Sequence, residues 1–309
     1  MTPKKRTIAV IANPVAGRSI ISLSWIHRLL GKRPPKNMET LLNTIVDFFN
    51  QNNTNCYGQL TTTHGDAQQF AKKAKQNNVD TIIAIGGDGT INEIIQVIAN
   101  TPIQLGVIPT GTVNLLKLEF NLPTNIHTAC QRILNSTPTT IDLGCVDGHY
   151  FTCMAGIGFD AFVVQHTSTP LKKWIGPLAY VASTIRAIFS FDWPQIKVII
   201  DNTTTVTASI IIVCNIKYYG GRIALQPNAV PNDGHLNIIA IQNKTALGLL
   251  KTIISLIFKN QTNNPTITQH IAHSIEIITK QSPIQVDGDF LTSNGRRITL
   301  CKQSLILLS

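Results

Sequence analysis

A glycine-rich stretch in the first half of the chain, Gly86 to Thr90, has the residue types of a phosphate-binding loop. The β-branched run Thr81 to Ile85 precedes it, and the isoleucines that follow recur at helical spacing: Ile91, Ile94, Ile95 and Ile98. The glycines therefore lie on a strand-to-helix turn, where a ligand can approach the backbone and the unpaired N–H groups of a helix N-terminus favour an anion. We predict a phosphate-binding loop; a tight turn capped by an aspartate is the simpler alternative.

Acidic residues extend this chemistry beyond phosphate binding. Asp88 does not suit a bare anion inside the loop, so its carboxylate suggests a metal ion or a positioned hydroxyl group. Two acidic turns lie in the second half of the chain, Asn232 to Gly234 and Asp287 to Asp289. An Asp-Gly pair alone is an ordinary hairpin signal. However, the first half resembles a phosphate site that lacks a base, and a carboxylate in either turn can act as one.

Other strand ends are expected to bring polar loops to the same place. Thr7 to Ala12 ends in the loop Asn13 to Gly17, Tyr57 to Thr61 leads through a threonine-rich loop into a helix from Ala67 to Gln76, and Gln104 to Ile108 ends in a Gly-Thr loop. Ligands bind at the carboxyl ends of strands in an open parallel sheet, so these loops are expected to line one crevice. We therefore predict a nucleotide-binding α/β sheet. The threonine hydroxyls either cap the helix or bind a ligand.

After residue 139 the helical periods give way to short strands separated by turn signals. The pattern predicts an antiparallel β domain, in which Tyr150 to Gly156, Val206 to Ile216 and Ile267 to Ile278 are each predicted as one strand. Two basic amphipathic stretches interrupt it, Leu171 to Phe191 and Ala246 to Lys259. Each is compatible with a membrane surface, but core packing with a solvated basic edge is the more common arrangement and is favoured for the second.

The composition is that of a globular protein, with 43% hydrophobic and 14% charged residues. The net charge of +10 favours an anionic partner such as a nucleotide or a membrane surface, whereas the scarcity of aromatic residues argues against nucleic acid. Six cysteines without a CxxC pair are typical of buried free thiols in a reducing compartment. No signal-peptide pattern is present, nor an apolar run of the ~20 residues that span a membrane. We expect a cytoplasmic protein, at most peripheral at the inner membrane face, and the sequence leaves a homodimer open.

The motifs occur along the chain in the order Asn13 to Gly17, Thr61 ahead of Gly65-Asp66-Ala67, Gly86 to Glu93, Gly106 to Asn114, Ala155 to Asp160, Gly220 to Gly234 and Asp287 to Asp289. In this order they resemble the diacylglycerol kinase catalytic-domain family, above all its bacterial soluble lipid kinases, which are related to the sphingosine and ceramide kinases. The resemblance implies two domains. Residues 1–138 with 295–309 would form a nucleotide-binding α/β domain similar to those of phosphofructokinase and NAD kinase, and residues 139–294 an antiparallel β-sandwich on the lipid side.

The resemblance also implies an activity, the ATP-dependent transfer of a γ-phosphoryl group to the hydroxyl of a lipid such as diacylglycerol or a sphingoid base. The residues that match the family's ATP contacts are Asn13, Pro14, Val15, Ala16, Gly17, Thr61, Gly86, Gly87, Asp88, Gly89, Thr90, Ile91, Asn92 and Thr112. The family's Mg²⁺ site, an Asp side chain with two backbone carbonyls, falls on Val230, Asp233 and His235. The general base falls on Asp287 or Asp289, and Asp88 joins the Mg²⁺–phosphate network, so these three are the expected catalytic residues.

The chain departs from the family pattern at three places. Leu115 replaces the Asp of GTxND, Asp289 replaces the Glu of DGE and is one methylene shorter, and the segment Arg18 to Asn37 is longer than usual and has no assigned role. Two other functions stay open at this point. One is a kinase of a soluble acceptor, as in the NAD kinases, which share GGDGT. The other is a non-catalytic nucleotide- or lipid-binding protein, which the first two departures favour.

Overall fold

The computed structural model describes residues 5–15, 38–111, 113–166, 187–188, 190–221, 223–243, 245–257, 264–280, 282–292 and 296–309. Several expectations fall outside these residues, namely Ala16, Gly17, Thr112, the segment Arg18 to Asn37 and most of Leu171 to Phe191. The chain divides into two compact units, Met1–Ile141 with Gln303–Ser309, and Asp142–Lys302. The first unit is α/β with a parallel sheet and the second is antiparallel β, which confirms the predicted fold class.

A parallel sheet of buried strands forms the centre of the first unit. Its strands are β1 Thr7–Ala12, β2 Asn55–Leu60, β3 Thr81–Gly86, β4 Gln104–Pro109 and the end of β18 Arg297–Leu308. They lie in the order β2-β1-β3-β4-β18, and neighbouring strands run parallel. Every residue of β3 is buried, as expected for a β-branched strand in a sheet with helices on both faces.

Five helices of the described residues accompany this sheet: α1 Met38–Gln51, α2 Asp66–Gln76, α3 Asp88–Ile98, α4 Leu115–Phe120 and α5 Ile126–Asn135. The apolar faces of α1 and α5 share one core cluster with β1 and β3, while α2 packs on α3 and α3 packs on β3. Helix α5 is a finding of the structure that the sequence patterns did not predict. Its local signal is Asn125, whose side chain caps the helix by accepting a hydrogen bond from the Thr128 amide at 3.1 Å.

Strands β1 to β4 end at the same edge of the sheet. Ala12 of β1 pairs with Leu60 of β2 and with Ile85 of β3, and β3 and β4 remain paired up to their last residues. The loops that follow these strands therefore share one edge of the sheet. This is the edge at which open α/β sheets bind ligands.

The second unit is built from short antiparallel strands. They are β5 Thr139–Val146, β6 His149–Phe151, β7 Met154–Gly158, β8 Ile196–Ile200, β9 Thr204–Ala208, β10 Ile210–Cys214, β11 Tyr218–Tyr219, β12 Ile223–Ala224, β13 Leu236–Ile241, β14 Ile267–Ala272, β15 Ser274–Ile277, β16 Ile284–Val286, β17 Asp289–Leu291 and the first part of β18. Helices α6 Phe159–His166 and α7 Ala246–Ile257 join them. Six strands form a sheet in the order β14-β13-β10-β7-β16-β17, and its apolar face shares a core with β8, β9, β15 and β18. Two sheets on one core form a sandwich.

Three strands predicted as continuous are each broken in two, and the breaks have physical causes. The predicted strand Tyr150 to Gly156 is divided between β6 and β7, because the amides at the break donate to Asp287 instead of to a strand. Val206 to Ile216 is divided at Ser209, whose amide and hydroxyl both donate to the Ile241 carbonyl. Ile267 to Ile278 is divided at His273, whose amide donates to the Asp201 carboxylate at 3.0 Å.

No disulfide joins the cysteines of this fold. All six are free thiols, and five of them are buried. Burial raises the pKa of the Cys56 thiol to about 12, which keeps it protonated and unreactive. None of the helices in the described ranges is long and apolar enough to cross a membrane.

Candidate functional site

The glycine-rich loop joins β3 to α3 and needs its glycines for space. A Cβ atom added to Gly86 would lie 2.7 Å from the Cβ of Thr90, and one added to Gly111 would lie 2.6 Å from the Cα of Gly87. Gly87 is the N-cap residue of α3 and has no side chain with which to cap that helix. The loops after β3 and β4 therefore touch backbone to backbone beside a helix N-terminus that can receive an anion.

Two asparagine side chains hold this loop in place. Asn13, at the end of β1, donates its Nδ2 to the Thr90 hydroxyl at 3.0 Å. Asn114 is fully buried in the left-handed conformation with a φ of 51°, and its Nδ2 donates to the Gly86 carbonyl at 3.1 Å. The Thr110 amide donates to the same carbonyl at 3.1 Å. The predicted ATP contacts Asn13, Gly86 and Thr90 thus lie together, and Asn114 is hydrogen-bonded to the same loop.

Thr110 supplies a test of whether this edge suits a ligand. The residue is 2% exposed, and its Oγ1 is buried without a hydrogen-bond partner among the residues that the structure describes. Unpaired buried hydroxyls are uncommon in folded proteins. An unpaired hydroxyl next to Gly111, together with glycines that leave room at the backbone, fits a phosphate-bearing nucleotide.

Asp88 connects the loop to the start of α4. Its Oδ1 accepts a hydrogen bond from the backbone amide of Leu115 at 2.9 Å. The Leu115 side chain is buried and takes no part in this bond. The family's aspartate at position 115 is therefore not needed for the link, because the main chain makes it.

Glu93 holds the loop that precedes α2. Its carboxylate accepts hydrogen bonds from the amides of Gly65 at 3.0 Å and Ala67 at 3.1 Å, and it lies 2.8 Å from Nδ1 of the exposed His64. The carboxylate thus satisfies the free N-terminal amides of α2 from a neighbouring helix. The glutamate of the GGDGTxNE motif is a structural anchor in this protein.

The threonine-rich loop after β2 is organised around Asp66. The amides and hydroxyls of Thr62 and Thr63 all donate to the Asp66 carboxylate, at 2.7–3.0 Å, and these hydrogen bonds hold its pKa well below the usual range. The two threonines therefore bind a carboxylate of their own loop rather than cap α2. Thr61 is separate from this group: it is buried, and its amide donates to the Ala12 carbonyl at 2.9 Å.

Asp287, in the second unit, is anchored through both of its carboxylate oxygens. Oδ1 accepts from the amides of Cys153 and Met154, each at 2.9 Å, and Oδ2 accepts from the amide of Thr152 at 2.8 Å and from its hydroxyl at 3.0 Å. Burial raises the pKa of Asp287, and these hydrogen bonds act in the opposite direction. A carboxylate with four donors is suited to hold the bend between β6 and β7 rather than to accept a substrate proton.

Asp289 differs from Asp287 in exposure. It begins β17, opposite Val286 of β16, and is exposed. The Asp289 carboxylate acts on the half-buried His149. Burial lowers the pKa of the His149 imidazole, and the negative charge of Asp289 acts to raise it. Nε2 of His149 is buried, with no hydrogen-bond partner in the described part of the chain. Of the two aspartates in this turn, Asp289 is the more exposed.

The turn from Val230 to His235 has the oxygen atoms of the expected metal site. The Val230 carbonyl accepts from the Asp233 amide at 3.2 Å, and Oδ1 of Asp233 accepts from the His235 amide at 2.9 Å. Within the described residues, no three metal-ligating side chains lie together, so a cation here would depend on backbone carbonyls as well as on Asp233. A carboxylate with carbonyls is a donor set that suits Mg²⁺.

Comparison with known proteins identifies relatives for both units. A family model described as "Diacylglycerol kinase catalytic domain" matches residues 7–146, and one described as "YegS C-terminal NAD kinase beta sandwich-like domain" matches residues 153–309. The chain is 30% identical over 236 residues to a "Diacylglycerol kinase" of Staphylococcus haemolyticus, covering 74% of this chain and 71% of that protein. It is 32% identical over 215 residues to a "Probable lipid kinase YegS-like" of Yersinia pestis, covering 68% and 72%. A crystal structure of a diacylglycerol kinase from Bacillus anthracis shares the fold with a TM-score of 0.72 at 22% identity, covering 100% and 98%.

Proposed function

Because the chain belongs to the diacylglycerol kinase catalytic-domain family, we propose that it is an ATP-dependent kinase of a lipid alcohol. The observation that carries the proposal is the backbone contact of Gly87 and Gly111 beside the N-terminus of α3, where the N-cap residue is a glycine. Phosphoryl transfer depends on positioning and charge stabilisation more than on covalent chemistry, and such a loop supplies positioning.

ATP is proposed to lie along the carboxyl edge of the parallel sheet. Its phosphates would accept hydrogen bonds from the amides between Gly87 and Thr90, while Asn13 and Thr61 border the same edge. Asp88 is proposed to act on the metal that accompanies the phosphates, since a carboxylate repels a bare phosphate but binds a cation. Four further ATP contacts are proposed. Pro14 and Val15 follow Asn13 after β1, and Ile91 and Asn92 follow Thr90 in α3.

The proton of the lipid hydroxyl is proposed to pass to Asp289. The hydroxyl oxygen bonds to the γ-phosphorus of ATP, its proton goes to the Asp289 carboxylate, and the bond from the γ-phosphorus to the bridging oxygen breaks to release ADP. General-base assistance of this kind typically contributes about 10²–10⁴ in rate. Asp287 supports the step by fixing the backbone around the turn, because its own oxygens are already hydrogen-bonded.

We propose Mg²⁺ as the cofactor, held at the 230–235 turn by the Asp233 carboxylate and the carbonyls of Val230 and His235. A bound Mg²⁺ ion supplies positive charge that phosphoryl transfer requires. Stability provides a readout besides activity: Mg²⁺ should raise the thermal midpoint of the wild-type protein and leave that of Asp233→Asn unchanged. If Mg²⁺ raised the thermal midpoint of both proteins equally, Asp233 would not be a ligand of the bound ion.

The proposed acceptor is a diacylglycerol or a sphingoid base. The protein is proposed to reach this lipid as a peripheral protein at the inner membrane face. The proposed assembly is a homodimer. Two observations support contact with lipid. On α7, Leu247 is 63% exposed and lies one turn from the exposed Lys251, while Leu249 of the same helix is buried. The net charge of +10 attracts anionic headgroups.

The test is incubation of the purified protein with labelled ATP, Mg²⁺ and a total lipid extract, followed by separation of the products on thin layers. We expect label in a lipid phosphate, and a panel of single lipid alcohols then identifies the acceptor. A parallel incubation contains NAD in place of the lipid, and label in NADP there would establish a kinase of a soluble acceptor. Binding of ATP without turnover on any acceptor would leave a non-catalytic protein.

A further inference from the structure

Asp160 is a buried carboxylate that none of the roles above uses. It lies in the first turn of α6 and is 7% exposed. Tyr219 donates its hydroxyl to one carboxylate oxygen, and Gln285 donates its Nε2 to the other at 2.6 Å. Burial raises the pKa of Asp160, and these two hydrogen bonds act in the opposite direction. A carboxylate in the interior that is held by neutral donors is costly, so its position calls for a reason.

The fold leaves specific space for this carboxylate. A Cβ atom added to Gly156 on β7 would lie 1.7 Å from Oδ2 of Asp160 and 2.8 Å from Nε2 of Gln285. The carboxylate thus occupies the volume that any other residue at position 156 would fill. The hydrogen bond from Gln285 and the glycine that permits it belong to one packed arrangement.

Gln285 carries the connection to the acidic turn. While its Nε2 donates to Asp160, its Oε1 accepts a hydrogen bond from the Gly288 amide at 2.8 Å. Gly288 and Asp287 are the two turn residues between Val286 and Asp289, and both have positive φ values, 87° and 47°. Such a two-residue hairpin turn directs the residue that follows it, and that residue is Asp289.

We propose that Asp160 is a positioning residue for phosphoryl transfer: through Gln285 it fixes the Gly288 amide, and so the direction of the Asp289 carboxylate. Tyr219 extends the same network to the turn at Gly220 and Gly221, whose φ values of 55° and 130° mark a second special backbone segment. The inference rests on the proposed function, since it concerns the residue proposed there as the base.

The test exchanges donor and acceptor between the two side chains. Asp160→Leu removes the acceptor of the Gln285 amide, and Gln285→Leu removes the acceptor of the Gly288 amide; either change breaks the chain to Gly288. The double variant, Asp160→Asn with Gln285→Glu, exchanges the groups: the introduced asparagine donates to the introduced glutamate, which still accepts from Gly288, and the oxygen of that asparagine still accepts from Tyr219. Misplacement of a reacting group by about 1 Å can cost roughly 10² in rate. We expect each single variant to lower kcat about 10- to 100-fold with an unchanged KM for ATP, and the double variant to recover kcat to within about 3-fold of wild type.

Ser209→Ala is the matched control, because Ser209 is a buried polar residue of the same unit whose hydroxyl bonds to the carbonyls of Ile241 and Asn243 instead. It should lower stability without lowering kcat.

Hydrogen exchange of the peptide 284–292 is the second readout: it should speed up in both single variants and return to the wild-type rate in the double variant. If the wild type phosphorylates a lipid while both single variants keep its kcat and its exchange rate, the positioning role is wrong. If the wild type phosphorylates no lipid, the proposed function fails, and unchanged exchange in the single variants would then overturn the network separately.

Discussion

The glycine loop of the first unit and the acidic turn of the second unit are shaped by opposite means. Around Gly87 the backbone itself is the proposed binding element, and the absence of side chains on Gly87 and Gly111 lets the loops after β3 and β4 touch. Around Asp287 and Asp289 side chains determine the shape, since the Asp287 carboxylate and the Gln285 amide hold the backbone by hydrogen bonds.

This difference shows which substitutions each region tolerates. The stability of the glycine loop should fall when volume is added at Gly86 or Gly111. Asn13 and Asn114, the side chains that hold this loop, carry no charge. The acidic turn should be sensitive to the loss of a negative charge or a hydrogen-bond acceptor. The predictions below use variants that separate these two sensitivities.

The largest effect is expected at Asp289. Asp289→Asn removes the proposed base from an exposed position, so kcat for lipid phosphorylation should fall by about 10²–10⁴ with no change in the thermal midpoint. Steady-state kinetics with a lipid acceptor measure the fall. Asp289→Glu keeps the carboxylate and serves as the control, with kcat expected within about 10-fold of wild type. An unchanged kcat in Asp289→Asn would show that the base lies elsewhere.

Substitution of Asp287 should mainly lower the stability of the protein, whereas substitution of Asp289 should mainly lower kcat. Asp287→Ala leaves the Thr152, Cys153 and Met154 amides without their acceptor, which we expect to lower the free energy of unfolding by about 2–5 kcal/mol. Asp287→Asn keeps one oxygen and tolerates the positive φ, so its loss should be smaller. Urea unfolding measures both values. If alanine costs no more than asparagine, the carboxylate is not the anchor described here.

Two alanine variants test the glycine loop. Gly111→Ala places a Cβ atom 2.6 Å from the Cα of Gly87, and the backbone shift should cost about 1–3 kcal/mol and raise the KM for ATP. At Gly89, which lies in α3, an added Cβ would meet nothing within 4 Å in the described part of the chain, so Gly89→Ala should stabilise the protein by about 0.5–1 kcal/mol. Thermal unfolding and the KM for ATP distinguish the two variants. Equal losses of stability would contradict the close contact of the loops.

The smallest effect concerns the pH dependence of stability through Asp66. Its pKa is lowered by hydrogen bonds from Thr62 and Thr63, so it stabilises the fold above its unfolded pKa of about 3.9 and loses that contribution as the pH falls. Urea unfolding at pH 7 and at pH 3 should therefore differ less in Asp66→Asn than in wild type. Asp47→Asn changes the same charge on the exposed side of α1 and should leave the difference as it is in wild type. If both variants behave like wild type, the bonds seen around Asp66 do not contribute.

The parts that follow local rules could be predicted from sequence. The β-branched run before Gly86 and the spaced isoleucines after it fix β3 and α3, because strand and helix periods depend on near neighbours. The position of the glycines on that turn follows directly. Helix α1, Met38–Gln51, likewise buries apolar residues that recur at helical spacing, among them Leu41, Leu42 and Ile45.

The parts that depend on distant partners could not be predicted. Asp160 and Gln285 are 125 residues apart, and Asp287 lies 135 residues from Thr152, so no spacing rule relates them. The same distant bonds explain why one strand was predicted across Thr152 and Cys153: local propensity favours extension there, and only a carboxylate from the far end of the chain breaks it. The identity of the base likewise depends on which aspartate is anchored.

Strand β18 determines when the parallel sheet can be completed during synthesis. Residues Ile306–Leu308 pair with β4, and the Ser304 carbonyl accepts a hydrogen bond from the Asn100 amide at 2.7 Å. The ribosome makes these residues after the whole of Asp142–Lys302, so β4 has an unpaired edge until they emerge. An unpaired edge strand is prone to aggregation, so the nascent first unit is exposed to this risk until β18 pairs with β4.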